Sequence, residues 1–456
     1  MEKIEFYKVV NKLVLPLFTG SYIDGEEEST SRDSEVAFGK KNSLLIKPSK
    51  ADEYRLILKR GQPFQTFEVN LLRAILHELN MISEMQYEDD SYVTVLQENA
   101  IEKSICSSIC DGPDTVNTMF GIINELQKWA VRTYEGRKVA IGIILNTSVD
   151  NGDDHASINY YDIINKDFFA LLSDGENSYV EFDKRGNLLG YVQMDRIKKA
   201  PCIAPYEYES VARFCNERRI GIVLTTYGDF LIFKNRNLLF SKRLGVWNVY
   251  SHEEVIQLLS NRGSYSLKDI RRSIYYTALD TSYAYSGGCI VYLNKDTAEQ
   301  ALTHINAHDI IDEKYFEMKK NQELETAGKL YGLKSLASVE AMYNVPYITF
   351  LKEQNCVKAQ SLRKIIHGKT FHELSRRLRQ ELVSMDGATV VDSDGTIIAV
   401  GAIIKIEAGS EGGGRLAAAT TLSKYGAAIK ISQDGIIKAF APEKKTNKIK
   451  LLFSVG

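Results

Sequence analysis

The sequence lacks a strong net charge, a long apolar run and a targeting signal at its amino terminus. Its 57 Lys and Arg residues nearly balance 59 Asp and Glu residues, for a net charge of -2, so the composition does not favour a nucleic-acid partner. No apolar run approaches the roughly 18 residues of a transmembrane helix. The first 18 residues include acidic side chains and lack the cationic and apolar regions of a signal peptide. We therefore expect a cytoplasmic protein without a membrane partner.

Cysteine is also scarce, with six residues spread over a chain of 456. Such scattered positions do not resemble a disulfide framework. Cys106 and Cys110 are four residues apart, but no second Cys or His pair accompanies them, which argues against a zinc site. We expect reduced thiols, as is usual in the cytoplasm.

The chain is long enough for two or three domains. The sequence predicts an α/β protein, organised as several domains of mixed helix and strand (α+β multidomain). Residues 1–150 are expected to form a mainly helical α/β region, with amphipathic helices at Phe67–Met85 and Val116–Thr133. The short apolar run Lys138–Asn146 predicts a buried strand. The stretch Asp24–Glu35 is predicted to be a mobile loop.

Residues 151–260 have the pattern of antiparallel hairpins. Short apolar runs at Phe169–Leu172, Tyr179–Phe182 and Leu188–Gln193 are separated by turn residues, which predicts a meander of strands. Further strands are predicted between residues 221 and 243. Because no convergent set of titratable side chains is visible, this region is expected to be a scaffold or a sensor platform.

The pattern changes again between Trp247 and Leu267, where we place the main boundary, and the third region spans residues 261–456. Gly287–Leu293 is a glycine-started apolar run that predicts a strand. The capping-box spacing from Thr370 to Glu373 predicts a single helix over Thr370–Ser384. Its arginines are expected to form a solvent-exposed face; they are Arg376, Arg377 and Arg379.

The stretch Asp386–Phe440 carries the clearest chemical signal. Two apolar, β-branched runs flank the turn at Asp394-Gly395, which predicts a hairpin with Asp386 at the mouth of a buried strand. The glycine run 412–414 then leads into Arg415 and a short helix. The start of a helix offers unpaired N–H groups and a positive dipole end, and glycine allows phosphate to approach closely.

Arg415 and the glycine run are accordingly predicted to hold phosphates, with the Asp386 carboxylate in the same stretch. A second interpretation is purely structural. In that case Asp386 only caps the entry to a strand and the glycine run is a flexible turn, since glycine runs are common in loops.

The order of elements over roughly residues 265–445 resembles the diadenylate cyclase domain. Asp386-Gly387-Ala388 is similar to the Asp-Gly-Ala motif of that family, and Gly287-Gly288-Cys289 is similar to its early Gly-Ala-Leu strand near the bound adenine. Gly413-Gly414-Arg415 stands where the family has Gly-Thr-Arg, and Ser432-Gln433-Asp434 stands where it has Ser-Glu-Glu.

The chain departs from the family pattern at three positions. Leu416 and Ala417 replace the His and second Arg of the family's Arg-His-Arg triplet, and Gln433 replaces an acidic residue, with Asp434 as its substitute. In the family, the triplet handles the triphosphate and its metal. The replacements remove an imidazole and a guanidinium from that part of the site.

The resemblance implies a C-terminal mixed β-sheet flanked by helices that condenses ATP, or another nucleoside triphosphate, into a cyclic dinucleotide with Mg²⁺ or Mn²⁺. It implies Asp386 and Arg415 as catalytic residues and Asp386 and Asp434 as metal ligands. The expected nucleotide contacts are Gly287, Gly288, Cys289, Gly387, Ala388, Gly412, Gly413, Gly414, Arg415 and Ser432. Because each family site holds one nucleotide, catalysis implies self-association.

The chain ahead of residue 260 resembles sensor regions attached to diadenylate cyclase-like domains in bacterial nucleotide signalling and anti-phage defence. That resemblance implies a ligand or a phage-derived trigger as the partner of this region. The alternative function is a catalytically degenerate protein that binds a nucleotide and acts as a sensor.

Two further places invite a metal. His304 and His308 are one helical turn apart, near Asp309, but a pair of histidines on an exposed polar helix is usually only that. The acidic stretch 150–154 lacks the alternating ligands and closing Glu of an EF-hand loop, so it is expected to be a solvated turn.

Overall fold

The computed structural model describes residues 3–49, 51–84, 90–150, 158–195, 197–259, 268–330, 347–405, 413–443, 446 and 448–456. It is a mixed α/β protein that divides into two compact units. The amino-terminal unit contains Met1–His252 with Val455–Gly456, and the carboxy-terminal unit contains Glu253–Ser454.

The helices and strands of the described residues have the following bounds. The helices are α1 (Lys3–Val9), α2 (Leu15–Leu17), α3 (Thr66–Glu84), α4 (Asp90–Ile109), α5 (Pro113–Val131), α6 (Tyr160–Ile163), α7 (Phe169–Leu172), α8 (Glu209–Phe214), α9 (His252–Leu258), α10 (Lys268–Tyr283), α11 (Ala298–Ala301), α12 (Glu313–Leu330), α13 (Tyr347–Ile366), α14 (Arg376–Ser384) and α15 (Gly414–Leu422). The strands are β1 (Tyr22–Glu28), β2 (Val36–Phe38), β3 (Ser43–Ile46), β4 (Tyr54–Lys59), β5 (Ile141–Asn146), β6 (Ser178–Asp183), β7 (Leu188–Gln193), β8 (Arg219–Leu224), β9 (Phe230–Lys234), β10 (Asn237–Arg243), β11 (Val246–Val249), β12 (Gly288–Leu293), β13 (Ala388–Val391), β14 (Ile397–Ala402), β15 (Gly426–Ile431), β16 (Ile437–Pro442) and β17 (Ile449–Val455).

The amino-terminal unit begins with a four-stranded antiparallel sheet in the order β1-β4-β3-β2. The prediction of a mobile loop at Asp24–Glu35 is wrong for its first half, because β1 continues to Glu28. Acidic side chains of β1 face cations across the sheet: Lys59 Nζ is 2.9 Å from Asp24 Oδ2, and Arg55 Nε is 2.7 Å from Glu27 Oε1. Opposite charges on paired strands stabilise a sheet that composition alone does not predict.

A seven-stranded sheet in the order β11-β10-β9-β8-β5-β6-β7 forms the rest of this unit, with β5 and β6 parallel. The buried strand predicted at 138–146 is β5, and the hairpin predicted at 179–193 is the antiparallel pair β6 and β7. Helices α3 and α5 fall on the two predicted amphipathic segments. They contribute to one hydrophobic core with residues of both sheets.

The strand predicted at Phe169–Leu172 is wrong, because these residues form the short helix α7. Phe169 and Ala170 are buried next to each other, whereas Leu171 and Leu172 are 65% and 42% exposed. Two buried residues followed by two exposed ones do not fit the alternation of a strand. The Phe169 ring packs near that of Phe182 on β6.

The carboxy-terminal unit is built on a six-stranded mixed sheet in the order β14-β13-β12-β15-β16-β17. Strand β12 is parallel to β13 and antiparallel to β15. Cys289, Val291 and Leu293 of β12 share a core with Ala419 and Leu422 of α15. Helices α10 and α14 pack together and contact β12 as well.

The single helix predicted at Thr370–Ser384 is divided in two. The capping box of Thr370 and Glu373 is present, but it starts only a 3-10 turn at Phe371–Glu373. A new cap at Ser375, which accepts the N–H of Leu378, then begins α14. Two caps lie five residues apart, and the second starts the longer helix.

The prediction that the arginines of this segment face solvent is wrong for two of them. Arg379 is 5% exposed and donates to the carbonyl oxygens of His372 and Leu374 at 3.1 and 2.8 Å. The Arg376 side chain is 11% exposed and forms an ion pair with Asp280, whereas that of Arg377 is 59% exposed. Arg379 therefore satisfies the carbonyl groups that the break in the helix leaves without partners.

The five cysteines whose side chains are described are buried free thiols. Among the helices of the described ranges, none has both the length and the hydropathy that crossing a bilayer requires.

Candidate functional site

Three of the predicted site segments meet at one edge of the six-stranded sheet. The parallel register pairs Ile290 with Thr389, so the chain preceding β12 and the chain preceding β13 enter the sheet at the same edge. Strand β15 runs the opposite way and pairs Gly288 with Ile431, so it ends there. Gly287, Asp386 and Ser432 therefore lie at this edge, which we call the Asp386 edge.

Arg415 reaches this edge from the first turn of α15. A Cβ atom built on Gly287 would lie 2.2 Å from Arg415 Nη1 and 3.0 Å from its Cζ, so the guanidinium occupies the space that the missing side chain leaves. Its Nε atom is buried and has no hydrogen-bond partner within the described residues. A buried donor without a partner is costly unless something binds it.

Cys289 lies close enough to Arg415 to interact with it electrostatically. Burial raises the pKa of the Cys289 thiol to about 12, although the guanidinium acts in the opposite direction. The thiol is therefore neutral near pH 7. It does not compensate the charge of Arg415.

Among the described residues, the start of α15 is open. Gly413 is the N-cap residue, with φ of 81°, and no described side chain caps the helix. Cβ atoms built on Gly413 and Gly414 would meet no described atom within 4 Å. Gly412 lies outside the described residues. The first N–H groups of the helix have no intrahelical acceptor, so this open end is suited to an anion.

The Asp386 carboxylate is exposed, and its Oδ1 accepts the N–H of Gly387 at 3.1 Å. Gly387 has φ of 101°, and a Cβ there would lie 2.6 Å from the backbone carbon of Gly401. In turn, a Cβ on Gly401 would lie 2.9 Å from the carbonyl oxygen of Asp386. The two paired strands thus approach each other closely at Gly387 and Gly401, and we call this the glycine contact. Ala388 starts β13 as a fully buried residue. The glycine contact fixes the position of Asp386 at the strand entry.

Ser432 and Asp434 belong to the turn between β15 and β16. The Ser432 backbone donates to Ile436 and accepts from Gly435, and the exposed Asp434 carboxylate accepts the N–H of Ile436 at 3.3 Å. Ser282 Oγ on α10 donates to the Gly435 carbonyl at 2.6 Å and holds the turn. Asp434 is thus at the tip of an anchored turn that extends from the Asp386 edge.

These residues could hold a divalent cation only if a bound substrate supplied some of the coordinating atoms. In the described residues, no three His, Cys, Asp or Glu side chains are grouped so as to hold a metal ion. Mg²⁺ is commonly bound by one or two carboxylates together with substrate phosphates. Asp386, whose exposed carboxylate lies at the sheet edge that Arg415 also reaches, fits that arrangement.

The histidine pair is not on one polar helix. His304 ends one 3-10 turn and His308 lies in another, because Ile305 between them forms a β-bridge with Ile404. His304 is 7% exposed, and its Nε2 is 2.9 Å from the hydroxyl oxygen of Tyr425. It is a structural histidine that connects the end of the β14 segment to the end of the α15 segment.

In the acidic stretch 150–154, Asp150 forms ion pairs with Lys184 and Arg185 at 2.7 and 3.1 Å. The remainder of the stretch lies outside the described residues.

Sequence reasoning did not identify Lys358 as part of this neighbourhood. Its Nζ atom on α13 donates to the carbonyl oxygen of Gly401 at 3.0 Å, and Gly401 is part of the glycine contact. The residue is 28 positions before Asp386 on an ordinary amphipathic helix, so no local motif marks it.

Comparisons with known proteins return no counterpart: no family model, no curated protein and no solved structure matches this chain.

Proposed function

We propose that the carboxy-terminal unit is a diadenylate cyclase-like nucleotidyltransferase that condenses ATP, or another nucleoside triphosphate, into a cyclic dinucleotide. The observation that carries the proposal is the meeting of Asp386, Gly287 and Arg415 at one sheet edge beside the open start of α15. The buried Nε of Arg415, which has no hydrogen-bond partner among the described residues, supports an anionic ligand. A carboxylate beside an anion site is what phosphoryl transfer to a hydroxyl group needs.

In the proposed reaction, the 3′-hydroxyl oxygen of one nucleotide attacks the α-phosphorus of another. A P–O bond forms, the bond to the bridging oxygen of pyrophosphate breaks, and the hydroxyl proton leaves. Two such steps close the ring and release two pyrophosphates. Asp386 is assigned to orient the hydroxyl group and to accept its proton.

Arg415 and the first N–H groups of α15 are assigned to the phosphates. Charge-assisted hydrogen bonds from a guanidinium and from a helix start are strongest where water is excluded. A bound Mg²⁺ or Mn²⁺ would offset the charge on the phosphate oxygens. Asp386 is the described residue best placed to hold it, and Asp434 is the second candidate.

The amino-terminal unit is assigned a regulatory role in this proposal, in the cytoplasm of a bacterium. It would sense a ligand or a phage-derived trigger within nucleotide signalling or anti-phage defence. The order of the regions along the chain supports this assignment.

A second candidate function is nucleotide binding without turnover. The first turn of α15 favours it, because Leu416 and Ala417 supply neither an imidazole nor a guanidinium to the phosphates. Losing such donors removes transition-state stabilisation more readily than it removes binding.

The test is incubation of the purified chain with radiolabelled ATP and Mg²⁺ or Mn²⁺, beside Asp386→Asn. Asp394→Asn is a matched control, because Asp394 is exposed in the β13–β14 turn beyond the other end of β13. The proposal expects a cyclic dinucleotide from the wild type and the control only. ATP binding with no product in either metal would support the binding protein instead.

A further inference from the structure

An ion pair with a buried carboxylate lies beside the Asp386 edge. Asp309 is 3% exposed, and its Oδ1 is 2.7 Å from Nζ of Lys358. Its Oδ2 accepts the N–H of Ile403, just after β14, at 3.2 Å, and lies 3.7 Å from Nε2 of His308. A buried carboxylate is stable only when it is paired and hydrogen-bonded. Asp309 therefore holds the Lys358 ammonium in a defined place.

That place is next to the backbone of Asp386. Lys358 Nζ donates to the Gly401 carbonyl at 3.0 Å. The Cβ position of Gly401 is 3.5 Å from Lys358 Nζ and 2.9 Å from the Asp386 carbonyl oxygen, so the two groups flank the same residue. An ammonium has three N–H donors. Two have acceptors within the described residues, and the side chain is 38% exposed, so the third is available to a ligand.

Arg415 and Lys358 stand on either side of Asp386. Arg415 contacts Gly287, which precedes β12, whereas Lys358 contacts Gly401 on β14, and β13 with Asp386 lies between them. Two strand spacings separate β12 from β14, or about 10 Å. An extended polyphosphate with several charges is better suited to cations so far apart than a single phosphate group is.

We propose that Lys358 is a second phosphate-binding residue of the Asp386 edge, that Asp309 is its positioning residue, and that the preferred ligands are nucleotides with a polyphosphate chain. This inference rests on the nucleotide site proposed above. It assigns the second cation to α13, which the resemblance does not include in the site.

The experiment is calorimetric titration of the full chain with AMP and with a nonhydrolysable ATP analogue. Lys358→Met is expected to weaken binding of the ATP analogue about tenfold and to leave AMP affinity nearly unchanged, because a charge-assisted hydrogen bond to the chain's distal phosphates is lost. Lys358→Arg is expected to restore most of the affinity. Lys364→Met is the matched control on the same helix, where the lysine is exposed.

Asp309 is tested by a double-mutant cycle. Asp309→Asn is expected to weaken binding of the ATP analogue more than that of AMP, and adding it to Lys358→Met is expected to cause no further loss, since the two residues act as one unit. A role in folding alone would instead lower both affinities together and the melting temperature with them.

Three results would overturn the inference. Unchanged affinity for the ATP analogue in Lys358→Met would overturn the role of Lys358 and leave the proposed function standing. Equal losses for AMP and the ATP analogue would reduce Lys358 to a structural residue. Wild-type protein that binds neither ligand would overturn the proposed function together with this inference.

Discussion

At the scale of single residues, the glycine contact of Gly387 and Gly401 next to Asp386 is tightly constrained. Gly387 has φ of 101°, and any side chain would meet the backbone of β14 at 2.6 to 2.8 Å. Backbone atoms cannot turn away as the end of a flexible side chain can. Both the conformation and the space therefore require glycine.

We predict that Gly387→Ala lowers the free energy of unfolding of the carboxy-terminal unit by about 3 kcal/mol, from backbone strain and overpacking together. It is also expected to displace Asp386 and abolish product formation. Urea denaturation followed by circular dichroism measures the stability change.

Gly414→Ala provides the control, because a Cβ there meets no atom of the described residues within 4 Å and Gly414 has helical geometry. Its stability is expected to stay within about 1 kcal/mol of the wild type, on the stabilising side. Equal stability of Gly387→Ala and Gly414→Ala would contradict the packing described for the glycine contact.

A buried histidine gives the amino-terminal unit a predictable response to pH. Burial lowers the pKa of His252 to about 4, although a hydrogen bond from its Nε2 to the Leu238 carbonyl, at 2.7 Å, acts against the shift. The unfolded chain, with a histidine pKa near 6.5, therefore binds a proton that the folded chain does not. The resulting stabilisation is present above pH 6.5 and is lost as the pH falls towards 4.

We predict that the lowered pKa of His252 reduces the free energy of unfolding of the amino-terminal unit by about 3 kcal/mol between pH 7 and pH 4. His252→Gln is expected to flatten that part of the profile, whereas His77→Gln, at an exposed position on α3, is expected to leave it unchanged. Trp129 and Trp247 both belong to the amino-terminal unit, so their fluorescence monitors its unfolding in urea. Parallel profiles for His252→Gln and the wild type would refute the assignment.

Individual residues show how far sequence reasoning reaches at the site. Asp386 lies just before the apolar run of β13, so its place at the strand entry is a local property and could be predicted. The contact of Arg415 with Gly287 joins residues 128 positions apart, and Lys358 reaches Gly401 across 43 positions. Such contacts depend on how the sheet is assembled, which no local pattern specifies.

At the scale of elements, an ion pair links α10 to α14, and both helices contact β12 of the sheet. The Asp280 side chain is fully buried, and Arg376 Nε donates to its Oδ2 at 2.9 Å while Nη2 donates to Oδ1. The Arg376 guanidinium also lies 5.0 Å from the ring centre of Tyr276. Because α14 leads directly to Asp386, this clamp helps to orient the strand entry.

We predict that Asp280→Asn lowers the free energy of unfolding of the carboxy-terminal unit by about 3–5 kcal/mol, because it removes the charge opposite a largely buried guanidinium. Glu381→Gln is the control, since its pair with Arg377 is more than half exposed and is expected to matter by less than about 0.5 kcal/mol. Circular dichroism in urea compares the two variants. Equal effects of both variants would show that the clamp is not a stabilising contact.

The sequence predicts best those helices and strands that are marked by nearby residues, such as the residues of a turn. The hairpin predicted around Asp394-Gly395 is present as β13 and β14. An Asp-Gly turn, at Asp434-Gly435, also joins the antiparallel strands β15 and β16. The divided helix at Thr370–Ser384 was missed because its break depends on Arg379, which binds the freed carbonyl groups only in the folded unit. The parallel pairing of β12 with β13 joins segments about a hundred residues apart.

At the scale of the whole molecule, the proposed reaction constrains the number of chains that take part. In the described part of each chain, the Asp386 edge combines an open helix start with the Asp386 carboxylate, which suits one nucleotide. A cyclic dinucleotide contains two, and the hydroxyl group of each must reach the phosphorus of the other. Two copies of the site must therefore face each other during the reaction.

We predict that product formed per milligram of protein falls on dilution, because the reacting pair dissociates by mass action. Light scattering at the same concentrations is expected to show the mass decreasing in parallel. An excess of Asp386→Asn chains should lower the activity of a fixed amount of wild type, since mixed pairs hold only one intact carboxylate. A preparation of monomeric mass that keeps full specific activity on dilution, and is indifferent to the added variant, would show that one chain completes the reaction alone.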